Sequence, residues 1–188
     1  MLRLIAEKAS EWGITLWAAS LDMEKAFDKV EFDAVVQSLS DPDIEVEPAY
    51  IKAIASLYTD MTACVRINGS TESEKFSICR GVRQGDPLSP LLFVNVMRFA
   101  MKQIRQKWAE KGFGTEIGAL DGEPRAAYAA FADDLTLLAP SRSALTEMLR
   151  DIRDQFIKHG LHRRQVHSAK QLLTGPRWAA DCFGRYAS

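Results

Sequence analysis

The chain has 188 residues, 47% of them hydrophobic and 26% charged, the balance of a globular domain long enough to bury roughly 70% of its unfolded surface without disulfide or metal staples. Its 24 Lys and Arg against 25 Asp and Glu leave a net charge of -1, so no global basic field marks a nucleic-acid binder, and any such partner must be held locally. Arg98 and Lys102 interrupt the longest apolar stretch, short of the ~18 apolar residues of a membrane span. Arg3, Glu7, Lys8 and Glu11 deny the start of the chain a signal-peptide core. Cys64, Cys79 and Cys182 are an odd set without metal-ligand spacing, which favours free thiols in a reducing compartment. The expectation is an intracellular protein, nuclear or cytoplasmic, neither secreted nor membrane-bound.

Helical and strand signals alternate, with no internal repeat. Leu2 to Trp12 reads as a helix stopped by Gly13, and Ile14 to Leu21 as a strand ending at Asp22. Phe32 to Leu39 and Tyr50 to Tyr58 read as short amphipathic helices separated by Asp41-Pro42. Thr62 to Ile67 and Lys75 to Cys79 form a hairpin signal around Asn68-Gly69. After the loop Gly81 to Pro90, apolar residues from Leu91 to Phe99 lie nearly all round a helix, predicting a buried one, opened by Ser89 as N-cap and Pro90 at its first position. Gly112 to Pro124 is expected to be loop. Ala126 to Phe131 and Leu135 to Ala139 are apolar runs hinged on Ala132-Asp133-Asp134, a tight hairpin with acids at its tip. Leu145, Met148, Leu149, Ile152 and Phe156 keep helical spacing up to Gly160, and Gly175 to Ser188 reads as a tail.

Acids interrupt apolar strands at two places, Asp22 and Asp133-Asp134. A carboxylate at a buried strand end costs several kcal/mol unless it is hydrogen-bonded or meets a cation. Taken singly, Asp133-Asp134 also fits a solvated turn, and Asp22 a cap on the next helix. Brought together in one sheet, they would make an oxygen-rich site for Mg2+, and two ions roughly 3.5 to 4 Å apart serve phosphoryl transfer.

Asp22-Met23-Glu24-Lys25-Ala26-Phe27-Asp28, then Arg80 to Pro90 around Gln84-Gly85, then Phe131-Ala132-Asp133-Asp134 resemble motifs A, B and C of reverse transcriptases, in order. Phe-Ala-Asp-Asp is most similar to the non-LTR, LINE-type retrotransposon enzymes; group II intron enzymes favour Tyr in its first place. The resemblance implies an α+β palm, a small antiparallel sheet carrying the acids and backed by the helices containing Val94 and Met148. It implies RNA-directed DNA synthesis, a nucleotidyl transfer from dNTPs to a DNA primer on an RNA template. The implied cofactor is two Mg2+ ions, with Mn2+ as a substitute.

By the same resemblance, Asp22 and Asp133 are the principal metal ligands, supported by Asp134. Phe27 abuts the nucleotide sugar and rejects a 2'-hydroxyl; a core aromatic is its alternative. Gln84 and Gly85 lie against nucleotide and template, and Arg83 contacts phosphate or is a solvated surface residue. Lys170 assists the leaving pyrophosphate, although it stands 10 residues after Gly160 where the family's spacing is about seven. The basic cluster between them, Arg163, Arg164 and two histidines, is alternatively a phosphate-tracking patch or a solvated loop.

The resemblance covers residues 1–174, read as palm with partial fingers, and leaves 175–188 unassigned. With 21 residues before Asp22 and 18 after Lys170, the fingers and thumb of a larger polyprotein are expected to be missing. Competing readings are an inactive element remnant that folds or binds nucleic acid, a group II intron maturase, and a phospho-accepting signalling domain. In the last of these, the acid pair would precede the single acid.

Overall fold

The computed structural model describes residues 2–23, 25–67, 71–115, 125–161 and 163–172, the last ten by backbone alone. Their order is α1 (Leu2–Glu11), β1 (Leu16–Met23), α2 (Ala26–Lys29), α3 (Phe32–Leu39), α4 (Pro48–Tyr58), β2 (Thr62–Ala63), β3 (Arg66–Ile67), β4 (Thr71–Glu72), β5 (Phe76–Ser77), α5 (Ser89–Glu110), β6 (Tyr128–Phe131), β7 (Asp134–Ala139), α6 (Arg142–Ile157) and β8 (Arg163–Leu172). Among the described residues, no helix is long and apolar enough to cross a membrane. The expected tail at 175–188 and most of the loop before Pro124 lie outside them.

The chain divides into two compact units, one formed by the described residues within Met1–Glu24, Met101–Gln155 and Arg163–Ser188, the other by Lys25–Ala100 and Phe156–His162. The first unit holds a four-stranded antiparallel sheet in the order β6-β7-β1-β8. Ile5 and Ala9 of α1, spaced for one helical face, pack with Leu16 and Leu138 as a core cluster, all at most 8% exposed. A buried leucine of this kind contributes about 1.5–3 kcal/mol. Past the end of α1, Gly13 adopts a φ of 64°, so that Ile14 N–H reaches the Ala9 carbonyl (2.9 Å) and Gly13 N–H that of Ser10, the paired bonds of a Schellman stop. Gly112 and Gly160 end α5 and α6 in the same way.

The later part of α5 is tied within this unit to α6 and to the sheet. Trp108, fully buried, donates its indole N–H to Asp151 (2.9 Å) and meets Tyr128 of β6 edge-on. Lys107 pairs with the same carboxylate, which holds the ammonium pKa above its ordinary value, and Lys111 pairs with Glu147.

In the second unit the α3 and α4 helices fall close to the sequence expectation, α4 starting at Pro48 rather than Tyr50. The hairpin signal resolves into two short ladders, β2 with β5 and β3 with β4. The helix predicted to be buried all round is not. Phe93, Val96 and Ala100 are sealed, whereas Leu91 is 69% and Val94 49% exposed. Nor does Ser89 cap it: among the described residues its buried hydroxyl has no hydrogen-bond partner. Asp86 does the work at that end, its carboxylate accepting from Leu88 N–H (2.9 Å) in a local turn.

Candidate active site

β1 is an apolar strand whose alternation sends Leu21 and Met23 into the core and the residue between them, Asp22, to the other face, where it is half-buried. The partner strand keeps the same phase, with Leu135 and Leu137 buried and Asp134 and Thr136 half-buried. The ladder pairs Ser20 with Thr136 and ends on Leu21 with Leu135, so that Asp22 and Asp134 are the next residues along the two strands. Two carboxylates 112 positions apart in sequence thus share one face of one sheet.

Asp133 stands in the hairpin turn directly before Asp134. Phe131 pairs with Asp134, leaving Ala132 and Asp133 as a two-residue turn. Ala132 holds a φ of 52°, a left-handed conformation that costs a residue with a Cβ about 1–3 kcal/mol. Strain of this kind is retained where surrounding structure fixes the geometry, and here it tightens the turn that carries an acid. On the opposite side, β1 is irregular against β8, with register shifts between Ser20 and Leu21 and again between Asp22 and Met23. Bulges on both sides of a strand residue re-aim its side chain and are enriched beside active sites.

Among the described residues, no three His, Cys, Asp or Glu side chains are gathered tightly enough to hold an ion by themselves. Asp22, Asp133 and Asp134 therefore do not meet as a three-carboxylate cage; Mg2+ is commonly bound by one or two carboxylates with the remaining positions left to water and substrate phosphates. The donor set is oxygen only, the ligand chemistry that such an ion takes, and all three carboxylates are half-buried.

Lys170 lies in β8, its backbone paired with Ala18, while Gln165 is the residue paired with Asp22. Four residues of strand separate the two registers, about 13 Å. The sequence offers no apolar alternation across 163–172, and so points to a phosphate-tracking patch or a solvated loop there rather than to the edge strand that the backbone forms.

The remaining predicted residues lie in the second unit. Phe27, at the start of α2, is half-buried and stacks on Phe93 of α5, ring centroids 4.8 Å apart and planes at 27°. The segment Phe27–Val30 is stitched to the loop before α5: Val82 N–H donates to the Phe27 carbonyl (2.7 Å) and Gly81 N–H to that of Val30 (2.8 Å). Gly81 has a φ of 92°, and a Cβ there would stand 2.8 Å from the Asp28 carbonyl oxygen, so only glycine allows this approach. Gln84 Nε2 donates to Asp28 Oδ1 (2.8 Å), a partnership that sequence reading missed. Arg83 donates from Nη2 to the Leu57 carbonyl near the end of α4 (2.9 Å) and from Nε to Met61 Sδ. Gly85 is exposed, with φ 89° and nothing within 4 Å of where a Cβ would be.

An antiparallel sheet presenting paired acids at a hairpin and the end of its neighbouring strand defines a polymerase-type palm. The profile of the reverse transcriptase (RNA-dependent DNA polymerase) family matches residues 4–170, and the chain belongs to that family. It is 31% identical over 142 residues to the retrovirus-related Pol polyprotein from type-1 retrotransposable element R2 of Popillia japonica, covering 76% of this chain and 19% of that one. It is 33% identical over 133 residues to the Pol polyprotein of R2DM from Drosophila melanogaster, covering 71% of this chain and 11% of the relative. Apo telomerase from Candida tropicalis shares the fold at a TM-score of 0.61 and 15% identity, over 92% of this chain and 34% of the other. The chain therefore spans about a fifth or less of the length of these curated relatives. Members of the family use a divalent metal.

Proposed function

We propose that this chain supplies the catalytic palm for RNA-templated DNA synthesis in a non-LTR retrotransposon polyprotein, transferring nucleotides from dNTPs to a primer. The observation that carries the reading is the register of β1 on β7, whose last pair, Leu21 with Leu135, leaves Asp22 and Asp134 as the next residues of the two strands, beside the turn bearing Asp133. In this reading Asp22 and Asp133 hold two Mg2+ ions, or Mn2+ in their place, and Asp134 supports them. Held there, such ions would supply activation of the primer hydroxyl and neutralisation of charge on the departing pyrophosphate.

The protein's own residues position the reactants. Phe27 bounds the sugar pocket, Gln84 and Gly85 line the nucleotide and template path, and Arg83 reaches phosphate with the guanidinium donors left after its bonds to Leu57 and Met61. Lys170 is assigned to the leaving pyrophosphate. The partners are an RNA template, a DNA primer, dNTP, and the fingers and thumb regions of a longer polyprotein. R2 and TX1 relatives favour this over a maturase, as does Phe131 at the first place of its motif.

Asp133→Asn tests the reading, because it deletes charge without changing volume. In a full-length polyprotein containing this chain, primer extension on an RNA template with Mg2+ should fall by at least about a hundredfold while circular dichroism is unchanged. Extension at the wild-type rate would overturn it.

A further inference from the structure

A side-chain hydrogen bond links the segment after β1 to the loop before α5: Gln84 Nε2 donates to Asp28 Oδ1 at 2.8 Å. Neither partner is buried, so the bond adds little to folding. Its geometry is nevertheless imposed. Two backbone bonds, Val82 to Phe27 and Gly81 to Val30, together with the close approach that Gly81 allows, hold Asp28 beside the loop before either side chain is considered.

The chemistry of the pair fixes more than distance. A terminal amide has a donating and an accepting end that differ only by a half-turn. A carboxylate accepts and cannot donate. Asp28 therefore draws the amide nitrogen of Gln84 toward itself and turns the carbonyl Oε1 away from itself, on an exposed stretch of loop next to Gly85, whose missing Cβ leaves open space.

We infer that Asp28 is a positioning residue for nucleotide binding: it locks the amide of Gln84 so that Oε1 faces the substrate as an acceptor for a nucleotide N–H or O–H donor. The inference rests on the proposed polymerase reading and adds to it a residue and a polarity. Without Asp28, Gln84 samples both amide orientations and further rotamers, and the nucleotide has to select the productive one on binding.

The test uses the full-length polyprotein, with steady-state dNTP kinetics on an RNA template and a melting temperature for every variant. Asp28→Ala should raise KM for dNTP about fivefold, the worth of one modest hydrogen bond, with kcat within about twofold of wild type. Asp28→Asn, whose amide can donate as well as accept, keeps a partner for Gln84 but no longer fixes its polarity, and should leave KM between those of wild type and Asp28→Ala. In the Gln84→Ala background, Asp28→Ala should add nothing further, because the two residues act as one unit. An unchanged KM in Asp28→Ala, additive effects in the double variant, or a fall in kcat that tracks a lower melting temperature would overturn the inference. If Asp133→Asn abolishes synthesis while Asp28→Ala is silent, this inference alone falls; if Asp133→Asn is silent, the polymerase reading falls.

Discussion

The ring of Phe27 lies on the ring of Phe93, 4.8 Å between centroids and 27° between planes, with Phe93 wholly buried beneath it. An aromatic pair of this offset-stacked kind adds about 0.5–1.5 kcal/mol beyond its buried area. Phe27 therefore has a floor, while its own ring stays half-exposed.

If Phe27 bounds the sugar pocket, Phe27→Val in a full-length polyprotein should raise the ratio of ribonucleotide to deoxyribonucleotide incorporation by at least about tenfold, since a steric rejection is relieved. Phe93→Leu should produce a smaller change in the same direction by lowering the floor under the ring. Competition assays with paired rNTP and dNTP measure both. Unchanged discrimination in Phe27→Val would reduce Phe27 to a packing residue.

Gly81→Ala should be costly out of proportion to one methyl group. The added carbon stands 2.8 Å from the Asp28 carbonyl oxygen, on a backbone with φ of 92°. Strain and clash together should remove about 2–4 kcal/mol of stability, measured by urea unfolding. Gly85→Ala has no such clash, and its loss should be confined to backbone strain of about 1–2 kcal/mol.

His159 is buried, 6% exposed, against the edge of Phe99. Burial, helped by the charge of Lys158, lowers its pKa below the ordinary 6.5. The unfolded chain then binds this proton more readily than the folded one, so the contribution to stability is present above pH 6.5 and is lost as pH falls through the folded value. Melting temperatures between pH 7.5 and 5 should fall more steeply for wild type than for His159→Gln. Parallel curves would contradict this.

Leu91, Val94, Tyr50 and Leu57 are large apolar side chains left 47% or more exposed in the second unit. Catalysis demands positioning, and a misplacement of about 1 Å can cost on the order of a hundredfold. The 188-residue chain by itself should bind the dye ANS through this surface and show no processive extension of a primer on RNA. Robust extension by this chain alone would mean that neighbouring regions of the polyprotein are dispensable.

The sequence was most legible where local chemistry decides. The apolar spacing of Ile5 and Ala9, the stop at Gly13, and the acids on either side of an apolar ladder all read correctly, since each follows from a few adjacent residues. Periodicity alone could not have paired β1 with β7, which stand more than 100 positions apart in the sequence. What stayed hidden was set by distant partners. β8 pairs along β1 without any alternating pattern of its own, and Asp86 rather than Ser89 serves the start of α5. The exposure of Leu91 and Val94 was equally out of reach, because hydrophobicity reports what a side chain prefers and not what stands opposite it.

β1 sits between β7 and β8, and its first residue, Leu16, pairs with Leu172. A ribosome adding about 5–20 residues per second needs on the order of ten seconds to deliver the second partner after the first strand has been made. Until β7 is made the nascent strand, rich in leucine and alanine, has neither neighbour, and until β8 follows it has at most one. Closure of the sheet is thus a late event of high contact order, and the nascent chain must be shielded from pairing with other copies until its last strand arrives.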